Sequence, residues 1–201
     1  MKTAIVTGAS RGLGLEVARK FDMAGYFVDM CARNVEYFWD KHTGEFNNAS
    51  IRRVDVRDYV QIKEFVEKVV DERGRVDVLV NNAGVVHPRK PVEEIRHEDF
   101  DPAFETHFCG PLAFIEGVLP GMLERKSGVI VNVASKAARY AVPGFAAYNA
   151  SKAALLSLTQ TLAKEVEGTG VRVYSVSPGG MRPEMREAAY GKEDAEKQQD
   201  P

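Results

Sequence analysis

The sequence predicts an α/β fold in which helices cover both faces of a doubly wound parallel sheet, giving three layers. Short, continuous apolar runs recur along the chain, as expected of parallel strands that are buried on both faces. Helical periodicities separate consecutive runs, so the βαβ unit is the predicted repeating connection. Glycine-rich or polar turns follow several runs, at the strand ends where ligands bind in such sheets.

Length and composition are those of one soluble domain. The 201 residues include 44% hydrophobic and 28% charged residues, and the net charge is −2. This charge favours neither a nucleic-acid nor a membrane partner, and no apolar run has transmembrane length. Cys31 and Cys109 are isolated, so we expect no disulfide framework and no metal site. Without a signal peptide, the expected compartment is the cytoplasm. We expect one domain over residues 1–185 and a charged tail over residues 186–201.

A glycine-rich turn follows the first predicted strand, residues 3–7, and leads into a helix that ends near Gly25. The predicted apolar face of this helix comprises Leu13, Val17, Ala18 and Phe21. Glycines let a backbone approach a pyrophosphate, and the helix offers N–H groups and the positive end of its dipole. The candidate phosphate-binding residues are Gly8, Ser10, Arg11, Gly12, Leu13 and Gly14. Their spacing differs from the G-x-G-x-x-G fingerprint, so a turn without a ligand is the alternative interpretation.

The second and third predicted strands end in charged residues. The second strand spans residues 26–32 and is followed by Arg33. A short helix or loop, whose aromatic residues should pack, leads to a third strand at residues 51–56 that ends in Asp55 and Val56. Because the carboxyl ends of parallel strands meet at one edge of the sheet, these residues are candidates for contact with a nucleotide.

Capping signals define the next helix. Asp58 and Gln61 form a predicted capping box, and the helix should end near Gly74. Its predicted apolar face comprises Ile62, Phe65, Val66 and Val69. A fourth strand at residues 76–80 runs directly into the segment Asn81–Gly84. This segment supplies three more candidate cofactor-binding residues: Asn82, Ala83 and Gly84.

A long helical segment occupies the middle of the chain. Residues 85–96 should form a loop, and residues 97–125 a helix that three prolines kink or divide. These prolines are Pro102, Pro111 and Pro120. A fifth strand at residues 129–133 ends close to Ser135, which therefore belongs to the same predicted sheet edge.

The last predicted helix begins with Tyr148 and Lys152, which are four residues apart and therefore share a face. A neighbouring ammonium favours the phenolate and lowers the pKa of a tyrosine, which suits a general acid or base at neutral pH. Taken alone, a Tyr/Lys pair on a solvated face is the commoner reading of so short a motif. A sixth strand at residues 171–176 leads into Pro178, Gly179 and Met181.

All these motifs follow predicted strands and converge on one sheet edge, which packing alone does not explain. With these residues assembled, the sequence closely resembles the short-chain dehydrogenase/reductase family from Lys2 to about Met185, and within it the 3-oxoacyl-carrier-protein reductase type. The resemblance rests on the turn at residues 7–14, residues 81–84, Ser135, Tyr148 with Lys152, and Pro178 with Gly179. It implies a Rossmann-like fold of about six strands, with the seventh strand of the family missing.

The resemblance implies hydride transfer between a nicotinamide cofactor and a small-molecule carbonyl or secondary alcohol. Tyr148 would exchange a proton with the substrate oxygen, and Ser135 would donate a hydrogen bond to the same oxygen. Lys152 would lower the pKa of Tyr148 and bind the nicotinamide ribose. A hydride that reaches a carbonyl carbon builds negative charge on oxygen, which a pair of O–H groups stabilises. The resemblance also implies that the cofactor contacts the turn at residues 8–14, Arg33, Asp55, Val56, residues 82–84, Pro178, Gly179 and Met181.

Three features depart from the family pattern. His107 stands where the family has an asparagine of the proton relay, and Pro183 stands where a threonine usually helps to hold the nicotinamide. The chain also stops soon after the sixth strand. We interpret His107 as a catalytic relay residue that gains charge near pH 6.5 unless its environment shifts its pKa, so an extra acidic limb is expected in the rate profile. A helix histidine with no special role is the alternative.

The leading functional prediction is an NADP(H)-dependent reductase or dehydrogenase, with NAD(H) a possible cofactor. Arg33 and Arg11 can clamp a 2′-phosphate, whereas a carboxylate at the end of the second strand would repel it. The alternative is a cofactor-binding scaffold or sensor that has lost efficient catalysis. A sugar-nucleotide epimerase or dehydratase is disfavoured, because such chains are usually longer. The resemblance also implies a homodimer, or a tetramer, through the central helix and the Tyr148 helix. These helices carry more apolar residues than one buried face needs, for example Phe104, Phe108, Leu112, Phe114 and Ile115.

Overall fold

The computed structural model describes residues 1–87 and 89–178 and shows six parallel strands in one sheet. The strands are β1 (Lys2–Thr7), β2 (Tyr26–Ala32), β3 (Ala49–Arg53), β4 (Val78–Asn81), β5 (Gly128–Val133) and β6 (Val171–Val176). Their order across the sheet is β3-β2-β1-β4-β5-β6, and every neighbouring pair is parallel. The order reverses beside β1, as in doubly wound Rossmann-like sheets, so the predicted fold class is confirmed.

Helices pack on both faces of this sheet. They are α1 (Gly12–Met23), α2 (Glu36–His42), α3 (Tyr59–Arg73), α4 (His97–Phe104), α5 (Gly110–Glu124) and α6 (Ala146–Glu165). Buried residues of α1 and α2 form one core with one side of the strands, and those of α3, α5 and α6 form a second core with the other side. Alternate residues of β1 serve the two cores: Ile5 belongs to one, and Ala4 and Val6 to the other.

Helix α3 confirms most of the sequence prediction. The Asp58 carboxylate accepts hydrogen bonds from the N–H groups of Val60 and Gln61, and Gly74 ends the helix in a left-handed conformation with φ +76°. The four predicted apolar residues of this helix are all buried. The capping-box prediction is wrong in one respect, because the Gln61 side-chain oxygen accepts the N–H of Asp55 and not that of Asp58.

Strands β3 and β4 differ most from their predicted bounds, whereas β1 and β5 each begin one residue earlier than predicted. Strand β3 ends at Arg53 because its partner in the register is Ala32, the last residue of β2. Asp55 and Val56 therefore lie in the loop after β3. Strand β4 begins at Val78, two residues later than predicted, because the Asp77 carboxylate accepts the N–H of Thr3 that a longer strand would use.

The buried face of α1 is also rotated from its predicted position. Leu15, Ala18 and Asp22 are buried, whereas three of the four predicted face residues are only half-buried. Asp22 lies inside because its carboxylate accepts the backbone N–H groups of Asn47 and Asn48 at 3.1 and 2.8 Å. A buried polar residue with satisfied hydrogen bonds is invisible to a pattern of apolar residues.

The long central helix is divided, as predicted, although the break does not lie at a proline. A π-helical turn, Glu105–Cys109, joins α4 to α5. Pro111 lies in the first turn of α5, where its missing N–H costs no hydrogen bond, while Pro102 and Pro120 lie inside α4 and α5. In residues 1–87 and 89–178, no helix is long and apolar enough to span a membrane. The predicted boundary between domain and tail at residue 185 lies outside the described residues.

Candidate active site

The carboxyl ends of the six strands carry most of the residues that the sequence singled out. These are the turn at residues 7–14 after β1, Arg33 after β2, Asp55 after β3, residues 81–84 at the end of β4, Ser135 after β5 and Pro178 after β6. Tyr148 lies in the first turn of α6, with Lys152 one turn later. Gly179, Met181 and Pro183 lie outside the described residues.

Two glycines of the turn are required by close backbone contacts. Gly8 has φ +64°, and a Cβ there would lie 2.8 Å from the Cα of Ala83. A Cβ on Gly14 would lie 2.4 Å from the side-chain nitrogen of Asn82 and 2.5 Å from the Gly8 carbonyl oxygen. These distances leave no room for a side chain, so the turn and the segment after β4 form one tightly packed unit.

Asn82 holds this unit together. Its side-chain amide donates hydrogen bonds to the carbonyl oxygens of Thr7 and Gly8 at 2.8 and 3.2 Å. The Thr7 hydroxyl accepts the N–H groups of Asn82 and Ala83, each at 3.0 Å. Helix α1 then begins at Gly12 with no acidic residue and no side-chain cap in its first turn. The first-turn N–H groups can therefore bind an anion such as a pyrophosphate.

A charged cluster lies at the ends of β2 and β3. Arg57 donates to both carboxylate oxygens of Asp55, from Nη2 to Oδ2 at 2.6 Å and from Nε at 3.0 and 3.1 Å. These hydrogen bonds lower the pKa of Asp55, and the nearby positive charge of Arg33 lowers it further. Asp55 therefore stays ionised with its charge compensated. Our sequence reasoning missed Arg57, although an arginine two residues after a strand-end aspartate was a usable signal.

Lys152 is buried, with 4% of its surface exposed, and its Nζ donates to the carbonyl oxygen of Val133 at 2.8 Å. Burial lowers the pKa of Lys152 from 10.5 to about 8. The hydrogen bond attaches the lysine of α6 to the end of β5, two residues before Ser135. A lysine with this pKa can give up or take a proton close to neutral pH.

Ser135 lies two residues after the end of β5 and is half-buried. It caps the short 3₁₀ turn Lys136–Ala138, since its Oγ accepts the N–H of Ala137 at 3.1 Å. Accepting that bond fixes the hydroxyl oxygen but does not use its hydrogen. Ser135 can therefore donate a hydrogen bond to a substrate oxygen at the open edge of the sheet.

His107 lies in the π-helical turn and is completely buried. Its Nε2 accepts the N–H of Val85 at 3.0 Å, and its Nδ1 lies 2.8 Å from the hydroxyl oxygen of Ser151. Its ring is perpendicular to the Tyr148 ring, and the two centroids are 5.3 Å apart. Burial holds the pKa of His107 well below its usual value, and the charge of Lys152 adds to this. The expectation that His107 gains charge near pH 6.5 is therefore wrong, because the ring is desolvated.

Comparison with known proteins agrees with this geometry. A family model described as short chain dehydrogenase matches residues 2–194. The 3-oxoacyl-[acyl-carrier-protein] reductase of Thermotoga maritima is 36% identical over 189 residues, which cover 92% of this chain and 76% of the reductase.

Two solved structures are similar along most of the chain. A short-chain dehydrogenase from Streptomyces avermitilis superposes with a TM-score of 0.86 at 38% identity, over 92% of this chain and 67% of that one. A metagenomic short-chain oxidoreductase in complex with NADP superposes with a TM-score of 0.83 at 34% identity, over 89% of this chain and 82% of that one.

Proposed function

The chain belongs to the short-chain dehydrogenase family, and we propose that it is an NADP(H)-dependent member that transfers a hydride between the nicotinamide and a carbonyl or secondary alcohol. Family membership makes it an NAD(P)-dependent oxidoreductase. The cofactor preference, the substrate chemistry and the residue roles are our proposal. The observation that carries it is that Ser135 and the Lys152–Val133 hydrogen bond meet at the end of β5, on the sheet edge that also carries the glycine turn.

The residues of this edge fit a dinucleotide. The pyrophosphate would be held by the glycine turn: Gly8, Ser10, Arg11, Gly12, Leu13 and Gly14. The adenine would be lined by Asp55 and Val56. The centre of the cofactor would be supported by Asn82, Ala83 and Gly84. Pro178 would lie towards the nicotinamide, and Tyr148 and Lys152 would contact its ribose. The family resemblance assigns a cofactor contact also to Gly179 and Met181, which lie outside the described residues. When bound, NADP(H) supplies or accepts the hydride. The NADP complex of the metagenomic relative supports this choice of cofactor.

The protein's own part in the reaction is proton transfer and charge stabilisation. The Tyr148 phenol gives its proton to the substrate oxygen during carbonyl reduction and takes it back during alcohol oxidation. Ser135 donates a second hydrogen bond to the same oxygen, which carries negative charge as the hydride arrives. Lys152, whose pKa is about 8, can restore the Tyr148 proton near neutral pH.

Removing the Arg33 guanidinium tests the cofactor preference. We expect Arg33→Ala to lower the affinity for NADPH by about 10- to 100-fold and to leave the NADH affinity nearly unchanged, because charged hydrogen bonds to the 2′-phosphate are lost. Fluorescence titration with each cofactor gives both constants. Arg172→Ala, which removes an exposed arginine of β6, is the matched control. Equal losses for both cofactors would contradict a contact with the 2′-phosphate.

The second candidate function is a cofactor-binding scaffold or sensor without efficient catalysis. The buried histidine at position 107, where the family carries an asparagine, is the observation that favours it. The retained Ser135, Tyr148 and Lys152 favour an enzyme instead. A panel of ketones and secondary alcohols, assayed with both cofactors, separates the two functions. Tight cofactor binding without turnover of any panel member would support the scaffold.

We also propose a homodimer, with a tetramer as the alternative, through α4, α5 and α6. Phe104, Phe108 and Leu112 are only half-buried in the subunit and form the proposed contact, whereas Phe114 and Ile115, also expected to be in excess, belong to the subunit's own core. We expect light scattering at micromolar concentration to show a dimer and Leu112→Glu to shift it towards the monomer, because the contact would bury an unpaired charge. Val60→Glu, on the exposed face of α3, is the control. A monomeric native chain would contradict this proposal.

A further inference from the structure

His107 forms part of a continuous chain of hydrogen bonds that crosses the subunit interior. The chain starts at the N–H of Val85, just after the segment at residues 81–84, and passes through both nitrogens of the imidazole. It continues through Ser151, whose hydroxyl donates to the carbonyl oxygen of Tyr148 at 2.9 Å. His107 and Ser151 are both completely buried, so water does not compete for these groups.

The direction of this chain fixes the protonation of the ring. The backbone N–H of Val85 can only donate, so Nε2 of His107 is an acceptor and carries no hydrogen. A neutral imidazole then carries its hydrogen on Nδ1, which donates to the Ser151 oxygen. The Ser151 hydrogen is in turn directed to the Tyr148 carbonyl. Only the neutral ring with hydrogen on Nδ1 satisfies all three hydrogen bonds.

The same ring also contacts the candidate proton donor. The planes of the His107 and Tyr148 rings meet at 89°, with their centroids 5.3 Å apart, an arrangement favoured between aromatic rings. The π-helical turn is a local widening of the helix, and such turns reorient side chains, often at functional sites. His107 is therefore linked to Tyr148 in two ways, through Ser151 to the Tyr148 carbonyl and through the perpendicular packing of the two rings.

We propose that His107 is a positioning residue, a neutral imidazole that joins the loop after β4 to the first turn of α6 and so fixes the Tyr148 ring for proton transfer. The kinetic consequence rests on the proposed function, whereas the protonation of the ring does not. In this arrangement His107 carries no proton between solvent and Lys152, in contrast to the relay predicted from the sequence.

The surroundings of the ring are consistent with a constant charge. Two ionisable groups of α6 act on the ring: the charge of Lys152 lowers its pKa, and the ring of Tyr148 packs against it. Its own turn carries Glu105 and Cys109, whose side chains are exposed. Protonation of Nε2 would break the bond to Val85 and place a second positive charge beside Lys152 in the interior.

Nuclear magnetic resonance of the ¹⁵N-labelled native chain without cofactor tests the protonation directly. We expect the His107 ring signals, assigned by their loss in His107→Asn, to show the neutral form with hydrogen on Nδ1 and to stay constant between about pH 5 and 8. Exposed His97 is the internal control for a ring in solvent. A ring with hydrogen on Nε2, or an imidazolium in this range, would overturn the proposal.

Kinetics of a double-mutant cycle tests the positioning. We expect His107→Phe and Ser151→Ala each to lower kcat by about 10- to 100-fold with the KM for NADPH nearly unchanged, and the double variant to lose little more than either one. Ser157→Ala, on the exposed side of α6, should keep the native kcat. Losses that multiply, or an unchanged kcat in Ser151→Ala, would overturn the proposal.

The two experiments separate failure of this inference from failure of the proposed function. If the native chain turns over no carbonyl or alcohol, the enzymatic proposal fails, and the ring signals alone still decide the protonation of His107. If His107→Phe does not fold, Ser151→Ala removes the same hydrogen bond from its other end and keeps the positioning test. A neutral, pH-independent ring together with a lowered kcat in Ser151→Ala confirms the inference.

Discussion

Tyr148→Phe is expected to lower kcat by about 10²- to 10⁴-fold, the usual contribution of a general acid or base. The substitution removes the phenol hydroxyl and keeps the ring that packs against His107, so the first turn of α6 should hold its position. Cofactor affinity should fall far less than kcat, because only the ribose contact of the Tyr148 hydroxyl is lost and the glycine turn and the charged cluster lie on other elements. Initial rates with a responsive ketone and a fluorescence titration with NADPH measure the two effects separately.

The matched control is Tyr140→Phe, which removes the hydroxyl from a tyrosine that is 71% exposed in the loop before α6. This variant should keep most of the native kcat and the native pH dependence. A Tyr148→Phe variant that retains more than about a tenth of the native rate would be incompatible with a general acid at this position. In that case Ser135 or a water molecule would have to supply the proton.

The sequence was a good guide to the sheet because strands buried on both faces leave a continuous apolar signal. The bounds of β2 and β6 agree with the prediction, and α3 buries the four residues that its periodicity indicated. The errors occur where polar side chains are buried with long-range partners. Asp77 and Asp22 accept backbone N–H groups from residues that are distant in the chain, and no local pattern shows such partners.

The candidate site likewise contains features that the sequence could predict and features that it could not. Residues at strand ends could be located from the sequence, because the topology of a parallel sheet brings those ends together. The surroundings of His107 could not be predicted, since its hydrogen-bond partners Val85 and Ser151 are 22 and 44 residues away. Sequence reasoning assigned this histidine the pKa of an exposed imidazole, whereas burial and the nearby charge of Lys152 lower its pKa well below that value.

Lys152→Met is the second substitution with a large expected effect. We expect kcat near neutral pH to fall by about 10²-fold or more, because the group that restores the Tyr148 proton is lost. The variant also removes the hydrogen bond to the carbonyl oxygen of the half-buried Val133 at the end of β5, a loss of about 1 kcal/mol in stability. The native lysine also lowers the stability of the folded chain below pH 8, because burial disfavours its charged form.

The pH dependence of unfolding separates these two contributions. The pKa of Lys152 is about 8 in the folded chain, whereas the unfolded chain has the ordinary value of 10.5. Between these two pH values the unfolded chain therefore binds more protons than the folded chain. The native chain therefore gains stability as pH rises through this window, by roughly 3 kcal/mol in all, and this gain is absent below pH 8. The missing hydrogen bond to Val133, by contrast, costs the variant the same amount at every pH.

We therefore expect the unfolding free energy of the native chain, minus that of Lys152→Met, to increase by roughly 3 kcal/mol between about pH 7.5 and 10.5. Urea titrations monitored by circular dichroism at several pH values give this difference, in which the titration of groups remote from Lys152 cancels. Lys164→Met, at an exposed position near the end of α6, is the control and should give a flat difference. A flat difference for Lys152→Met as well would mean that the buried ammonium keeps its ordinary pKa. In that case Lys152 would be poorly suited to exchange a proton with Tyr148 near neutral pH.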